Sequence, residues 1–506
     1  MGGAMKRAMK RGQATFLGLA EKSSLSPFLL VGGLAMMLLG AAVARAEEGA
    51  GAEAEQGIRE RIAANLSING YLRNETAFRL SRPAALVKVM NIVNLEPRYT
   101  FGPSAQLNAR LRGFYDAAYD LVDIDTLSPR KGPESVLAGS LTPEEVAATQ
   151  VENIRNVEIR RLGLDLREFY LDLHFKLLDV RAGRQIVRWG VVEGARVTDE
   201  INPLDFQEFI LREVNDRYIP LWMVKNDLYF GDTTVQALWI PDLRTHEPAA
   251  RESEWEQFRF LPGMIRPAKT VRNSEWAVRV SRLIGGWDLS GSYFSTWDDF
   301  PVAFRVVEGA GQFGVSQSLA FTPRVGRLGI WGGTLSKSLG RVIVNAEAAW
   351  VEDKYFGTRL GTVGTQPLFG EIKKDYYKYA VGMDFSLFAT DLSFQVLQHR
   401  ILEWEPNMIQ DEIDTVYGFF GRKELLHNRM TAQLLTLFFV NDDEWLIRPR
   451  VEYAVSERVK LSVGSDVLLG RISDAKSGEE PTPGQFHFVG FFTNHSRVYT
   501  EWQYSF

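Results

Sequence analysis

Residues suited to chemistry are sparse in this chain. It has six histidines, His174, His246, His399, His427, His487 and His495. None forms an HExxH pair, and no GxSxG elbow is present; Gly314-Val315-Ser316-Gln317-Ser318 fails at its last position. His174 stands two residues from Asp172, which puts both on one face of a strand, and alternation alone produces that spacing. With no cysteine, disulfides, thiolate metal sites and c-type haem attachment all fall away. The sequence thus predicts no catalytic residue, no metal and no cofactor.

Charged residues at alternating positions are more telling. Arg73, Arg79, Arg110, Arg112, Arg448, Arg450 and Arg497 fall on the polar faces of strand-like runs, as do Glu75, Glu168, Asp172, Glu347, Glu452 and Glu501. If these faces line a water-filled lumen, the charges are either a selectivity lining or a cross-strand ladder that braces a wide wall. The two signs nearly cancel, which predicts weak charge preference. The candidates for lining a pore are Arg73, Arg110, Arg112, Glu168, Asp172, Arg184, Arg188, Asp205, Glu347, Arg448, Arg450 and Glu452.

The elements that would hold these charges are strands of period two. In Gln106–Tyr115 one face reads Leu107, Ala109, Leu111, Gly113, Tyr115, and the other Gln106, Asn108, Arg110, Arg112, with Phe114 as its apolar member. In Glu168–Phe175, Phe169, Leu171, Leu173 and Phe175 oppose Glu168, Tyr170, Asp172 and His174. Arg341–Trp350 sets Val342, Val344, Ala346, Ala348 and Trp350 against Arg341, Asn345 and Glu347. The last run places Val498, Thr500, Trp502, Tyr504 and Phe506 on one face and Arg497, Tyr499, Glu501, Gln503 and Ser505 on the other. Lipid offers no hydrogen bonds, so a spanning sheet must close on itself, with apolar residues out and polar residues in.

Composition agrees. Aromatics reach 12%, with 12 Trp, 16 Tyr and 31 Phe, in a chain of 506 residues that is only 45% hydrophobic. Aromatic girdles around a polar lumen need that mixture. The net charge of -5 marks no nucleic-acid partner. Lys6, Arg7, Lys10, Arg11 and Lys22 precede an uncharged run, Phe28–Val43, and Ala44-Arg45-Ala46 follows. These are the parts of a secretory signal cut near Ala46. The predicted organisation is a signal peptide (1–46), a short periplasmic segment (47–67) and a barrel (68–506) opening with the strand Ile68–Leu80. Residues 47–67 are too few for the plug of an energised transporter.

The fold class expected is all-β: a single transmembrane antiparallel barrel in the outer membrane of a Gram-negative bacterium. Short periplasmic turns alternate with long extracellular loops. Short breaks fall at Gly231-Asp232, Gly285-Gly286, Leu339-Gly340, Asn441-Asp442-Asp443 and Ser456-Glu457. The long connections are Asp120–Arg160, Val191–Arg217, Asp242–Asn273, Asp298–Pro323, Glu352–Lys374 and Glu403–Asn428. Strand-like runs number 17, whereas a bacterial single-chain barrel usually has an even count, so 16 or 18 is expected. Either a strand hides around Gln485–Phe492 or one near Asn428–Leu469 is to be removed. Pro449 within a strand calls for a bulge. Helices are expected from Thr142-Pro143-Glu144-Glu145 to Glu152, and from Asn202-Pro203-Leu204-Asp205 through Phe209 and Arg212.

Gly183-Arg184-Gln185, Trp189-Gly190 and Asn202-Pro203-Leu204-Asp205 form a GRQ…WG…NPxD core, preceded by the REFYLDL strand Arg167–Leu173. With the Tyr504-Ser505-Phe506 ending, this resembles a large family of uncharacterised outer-membrane proteins. The resemblance implies a porin-like barrel, distantly similar to alginate-export barrels, often associated with hydrophobic-compound metabolism and inner-membrane efflux pumps. The terminal strand is similar to those of bacterial outer-membrane proteins, which makes Trp502, Tyr504 and Phe506 an assembly signal for the barrel-assembly machinery. Trp189-Gly190 suits an interfacial aromatic followed by a turn, and the loop after it is a candidate to fold inward and constrict the lumen. Outer-membrane lipid is the expected surrounding. The expected function is passive passage of small or hydrophobic solutes. The alternatives are a structural barrel subunit of an efflux or electron-conduit assembly, with inner-membrane efflux or electron-transfer partners, and a surface receptor or adhesin.

Overall fold

The computed structural model describes residues 64–127, 161–250, 253–256, 264–308, 318–358, 371–472 and 487–506. The expected signal peptide, most of the segment before the barrel and the helix from Thr142 lie outside them.

The chain folds into strands β1 (Leu66–Arg79), β2 (Ala85–Gly102), β3 (Ala105–Asp116), β4 (Leu162–His174), β5 (Leu178–Gln185), β6 (Leu221–Phe230) and β7 (Thr233–Ile240). There follow β8 (Glu275–Ile284), β9 (Trp287–Trp297), β10 (Val302–Glu308), β11 (Ser318–Arg324), β12 (Arg327–Leu339), β13 (Val342–Gly357) and β14 (Glu371–Leu387). The last are β15 (Thr390–Ile401), β16 (Ile413–Leu425), β17 (Met430–Phe439), β18 (Glu444–Ala454), β19 (Val459–Leu469) and β20 (Arg497–Ser505). Apart from the β10–β11 hairpin, 18 strands form one antiparallel sheet. It closes where β20 pairs with β1, from Tyr71↔Ser505 to Arg79↔Arg497. Closure leaves no edge strand in this sheet, as lipid demands. No helix among the described residues is long and apolar enough to cross a membrane.

The eighteenth strand is β16, inside the stretch Glu403–Asn428 that reads as a loop. Two glycines, Gly418 and Gly421, and phenylalanines on both faces hide its alternation. Of the stretch Gln485–Phe492, the described residues from His487 on form no strand; Gly490–His495 is a 3₁₀ segment. Counting β16 moves Asn441-Asp442-Asp443 to the long-loop end, opposite Ser456-Glu457. Pro449 sits in β18 without a bulge. Ile447↔Val467 and Arg450↔Gly464 keep one register, and the ladder is only interrupted where proline has no N–H.

At the end that carries Leu66 and Phe506, all connections are short. Gly285-Gly286 has both residues at positive φ, the pair that a tight hairpin turn requires. Phe388-Ala389 adopts the same left-handed conformation without glycine, so composition does not announce that turn. The seam is closed by Phe506 N–H to Gly70 O (3.0 Å) and Gly70 N–H to Phe506 O (3.1 Å).

A candidate channel inside the barrel

The alternation read from the sequence sets the inner face. The register pairs Arg110 with Glu168 and then Leu111 with Leu166, so Arg167 is an extra residue in β4. This bulge turns Arg167 inward, where it donates to Tyr218 O at 2.7 Å. Asp172 takes Arg181 at 2.6 Å, and the Arg181 guanidinium lies 4.1 Å from the Tyr170 ring centre.

Residues 186–220 connect β5 to β6 and cross the barrel interior. The evidence is a set of contacts to opposite walls. Asp216 meets Arg73 of β1 at 2.7 Å, and Arg110 and Arg112 of β3 at 3.6 and 3.7 Å. Glu208 holds Lys88 of β2 at 2.7 Å and Arg497 of β20 at 3.7 Å. Glu213 takes Arg450 of β18 at 2.5 Å, and Arg448 donates to Leu211 O at 2.7 Å. Across the lumen, Glu200 pairs with Lys378 of β14 at 2.5 Å. Glu347 of β13 accepts from Val192 N–H (3.0 Å), Thr198 N–H (3.1 Å) and Thr198 Oγ1 (2.6 Å).

Burial alone would raise these loop carboxyls, but the surrounding cations override it. Lys378 and Arg196 hold Glu200 down to about 2. Lys88 and Arg212 keep Glu208 well below the usual range, and Arg112 and Arg73 do the same for Asp216.

The apolar side of the loop packs against the wall. Val187, Trp189, Val192, Val197 and Ile201 form one cluster with Met223 (β6), Ile240 (β7), Phe294 (β9), Ile330 (β12) and Val351 (β13). Trp189 is therefore no interfacial aromatic: it is 2% exposed inside the barrel, its Nε1 donating to Gln236 at 2.6 Å. β5 also ends earlier than Trp189-Gly190, at Gln185.

The expected helix from Pro203 to Arg212 does not form. Asn202, the intended cap, is fully buried as a splice. Its Oδ1 accepts from Val187 N–H (2.8 Å) and its Nδ2 donates to Ile219 O (2.9 Å), which ties the loop's two ends together. Leu204 and Asp205 bridge to Tyr218 and Glu247, and Phe209 lies at φ +53°, so the backbone is committed elsewhere. Only Val214–Arg217 makes a helical turn. Leu204 N–H donates to His246 Nδ1 at 2.8 Å; burial holds His246 well below its ordinary pKa, and the neutral ring is the form that accepts.

The other motif residues are structural in the same way. A Cβ on Gly183 would lie 2.2 Å from Phe169 O, and its φ is +139°, so only glycine lets β5 approach β4 there. Gln185 donates to Met223 O at 3.2 Å. Gly190 has Asp199 and Glu347 within 3.5 Å of where a Cβ would stand, and Pro203 O accepts from Ile219 N–H at 2.8 Å.

Of the candidate pore-lining residues, Arg73, Arg110, Arg112, Glu168, Asp172, Glu347, Arg448, Arg450 and Glu452 face inward, as their ion pairs and, for Glu347, its hydrogen bonds to the loop show. Two depart from expectation. Arg184 takes the register position opposite Phe169 and Trp222, on the outward face. Asp205 is bound to Arg212 within the loop and does not line the open space. Arg188 does line it, with its guanidinium 5.2 Å from the Tyr218 ring centre. Trp502, Tyr504 and Phe506 sit on the outward face, opposite the inward Arg497 and Glu501.

What remains open is a cavity of about 1740 Å³. Its lining extends from Arg341, Asp391 and Arg422 near the short turns to Ile409, Asn441 and Asp442 at the long-loop end. One side is the loop. The other is the inner face of β15–β18, where the register aligns two rows, Ser393–Phe420–Leu435–Arg448 and Gln395–Gly418–Leu437–Leu446. Both run from polar through apolar residues. Sequence reading missed Lys88, Arg196, Glu200, Asp216, Arg217 and Lys378. Of these only Lys88 and Lys378 carried a local signal, as polar members of apolar runs.

No curated protein matches this chain. Among solved structures it is similar to OccAB2 of Acinetobacter baumannii, at 10% identity over 88% of this chain and 98% of that one, with a TM-score of 0.47. It is also similar to OccK8 (OprE) of Pseudomonas aeruginosa, at 9% identity over 88% and 98%, TM-score 0.46. A third is OccK2 (OpdF) of Pseudomonas aeruginosa in complex with glucuronate, at 9% identity over 88% and 98%, TM-score 0.45. Residues 88–420, which take in most of the wall and the whole inward loop, match the model of a family described as protein of unknown function, DUF1302, and the chain belongs to that family.

Proposed function

We propose that this protein is an outer-membrane channel that lets small solutes with apolar surface pass down their gradient. The observation that carries the reading is the cavity, whose lining reaches both ends of the wall and holds Phe420, Leu435 and Leu437 where a water-filled pore would carry polar groups. The outward belt supports it: Val463, Val498 and Trp502 are exposed on the outer face, as lipid contact requires. Export through a signal cut near Ala46 and recognition of Trp502, Tyr504 and Phe506 by the assembly machinery complete the reading. The same loop narrows a wall too wide for its own side chains to span.

The test is conductance of the purified full-length protein in planar bilayers of potassium chloride. Discrete steps with weak charge preference are expected, because the inner ion pairs nearly balance. Folded, heat-modifiable protein that gives no steps overturns the channel reading.

A further inference from the structure

Two arginines on the inward loop stand apart from the ion pairs. Among the described residues, neither Arg188 nor Arg217 has a carboxylate within ion-pair distance. Arg188 donates to Asn215 at 3.3 Å and stacks on Tyr218; the buried Arg217 Nε has no hydrogen-bond partner among the described residues. Both line the cavity. Burial, and after it the neighbouring Arg448, hold Arg217 down to about 10. A guanidinium so placed gains most from an anion brought to it, because a charge-assisted hydrogen bond replaces an unsatisfied donor.

The apolar wall begins beside this group. Arg448, whose charge Arg217 feels, is the register partner of Leu435, and Leu435 pairs in turn with Phe420. Leu437 lies one inward position along β17. Cation and apolar surface thus share one compartment.

We propose that the cavity takes solutes with a single anionic group and an apolar body, the anion against Arg217 and Arg188 and the body along Phe420, Leu435 and Leu437. This deepens the channel reading and rests on it. Acetate supplies the charge without the body, octylammonium the body with the opposite charge, and octanoate both.

The experiment measures binding of these three probes to the purified full-length protein in non-ionic detergent by calorimetry, with single-channel recordings in parallel. Octanoate is expected to bind at least about tenfold more tightly than either control and to interrupt the current. Arg217→Gln is expected to weaken octanoate about tenfold while the heat-modifiable mobility stays that of the parent; Arg188→Gln supplies a second, independent cut. Equal binding of octanoate and octylammonium, or octanoate binding unchanged in both variants, overturns the site. Steps in potassium chloride without octanoate binding sink the site alone, and octanoate binding without steps sinks the channel reading alone.

Discussion

The inner wall has two halves that treat the 186–220 loop differently. Against β1–β3, β18 and β20 the loop is fastened by charge through Asp216, Glu208 and Glu213, and against β13 and β14 through Glu347 and the Glu200–Lys378 pair. Along β15–β17 no such fastening occurs among the described residues, and that half borders the cavity. A buried ion pair contributes little net stability, but removing one partner strands the other charge, so the arrangement tolerates few alternatives. Apolar surface has no direction and fixes nothing by itself. The charged half therefore sets where the loop lies, and the apolar half is left facing whatever enters.

The largest effect should come from abolishing the difference. Replacing Asn202–Val214 with a short linker removes Glu208 and Glu213 from the lumen together with the loop's bulk. Single-channel conductance should rise severalfold, with a shift toward anions as Lys88, Arg450 and Arg497 lose partners. An unchanged conductance would place the loop outside the current path.

A subtler cut separates the charged fastening of the loop from its apolar packing against the wall. Glu208→Gln leaves Lys88 and Arg497 facing a neutral amide, at a cost of about 3 kcal/mol. Ile330→Val, on the apolar packing side, should cost about 1 kcal/mol. Midpoints of heat-modifiable mobility compare the two, and equal shifts would mean that charge does not position the loop.

The outer face provides a third contrast. Leu111→Arg should cost ~2–4 kcal/mol near the bilayer midplane, whereas Gln106→Arg, on the inner face of the same strand, should stay within about 1 kcal/mol. Similar losses of folded protein from both would show that the wall is not sided as described.

The smallest effect expected is that of mild acid. Glu208 and Asp216 titrate below the ordinary carboxylate range despite burial. Groups with depressed folded pKa values add stability above their unfolded values, near 4, and lose it as pH falls toward the folded ones. Conductance and gating noise should therefore hold from pH 7 to about 5 and change only below about 4. Noise that sets in above pH 5 would show that the ion pairs do not hold the loop.

Part of this was legible in the strands themselves. The two faces of β3, β4 and β20 follow from alternation, and with them the inward positions of Arg73, Arg112, Asp172 and Arg497. β16 was not legible because its glycines and scattered phenylalanines blur the period. Arg184 was misplaced because it lies among polar neighbours at the end of a short strand, where alternation has too few residues to decide. The Asn202-Pro203 cap was a sound local signal overruled by distant partners, since Asn202 is worth more joining Val187 to Ile219 than starting a helix.

The sequence by itself determined that the chain closes as a barrel, because a period of two is a property of single strands and lipid permits only one way to satisfy their backbones. Only the tertiary structure decided what fills that barrel. Glu208 reaches Lys88 across 120 residues and Asp216 reaches Arg73 across 143. Pairings at such separation leave no local pattern, because they depend on which strands closure brings face to face across the lumen.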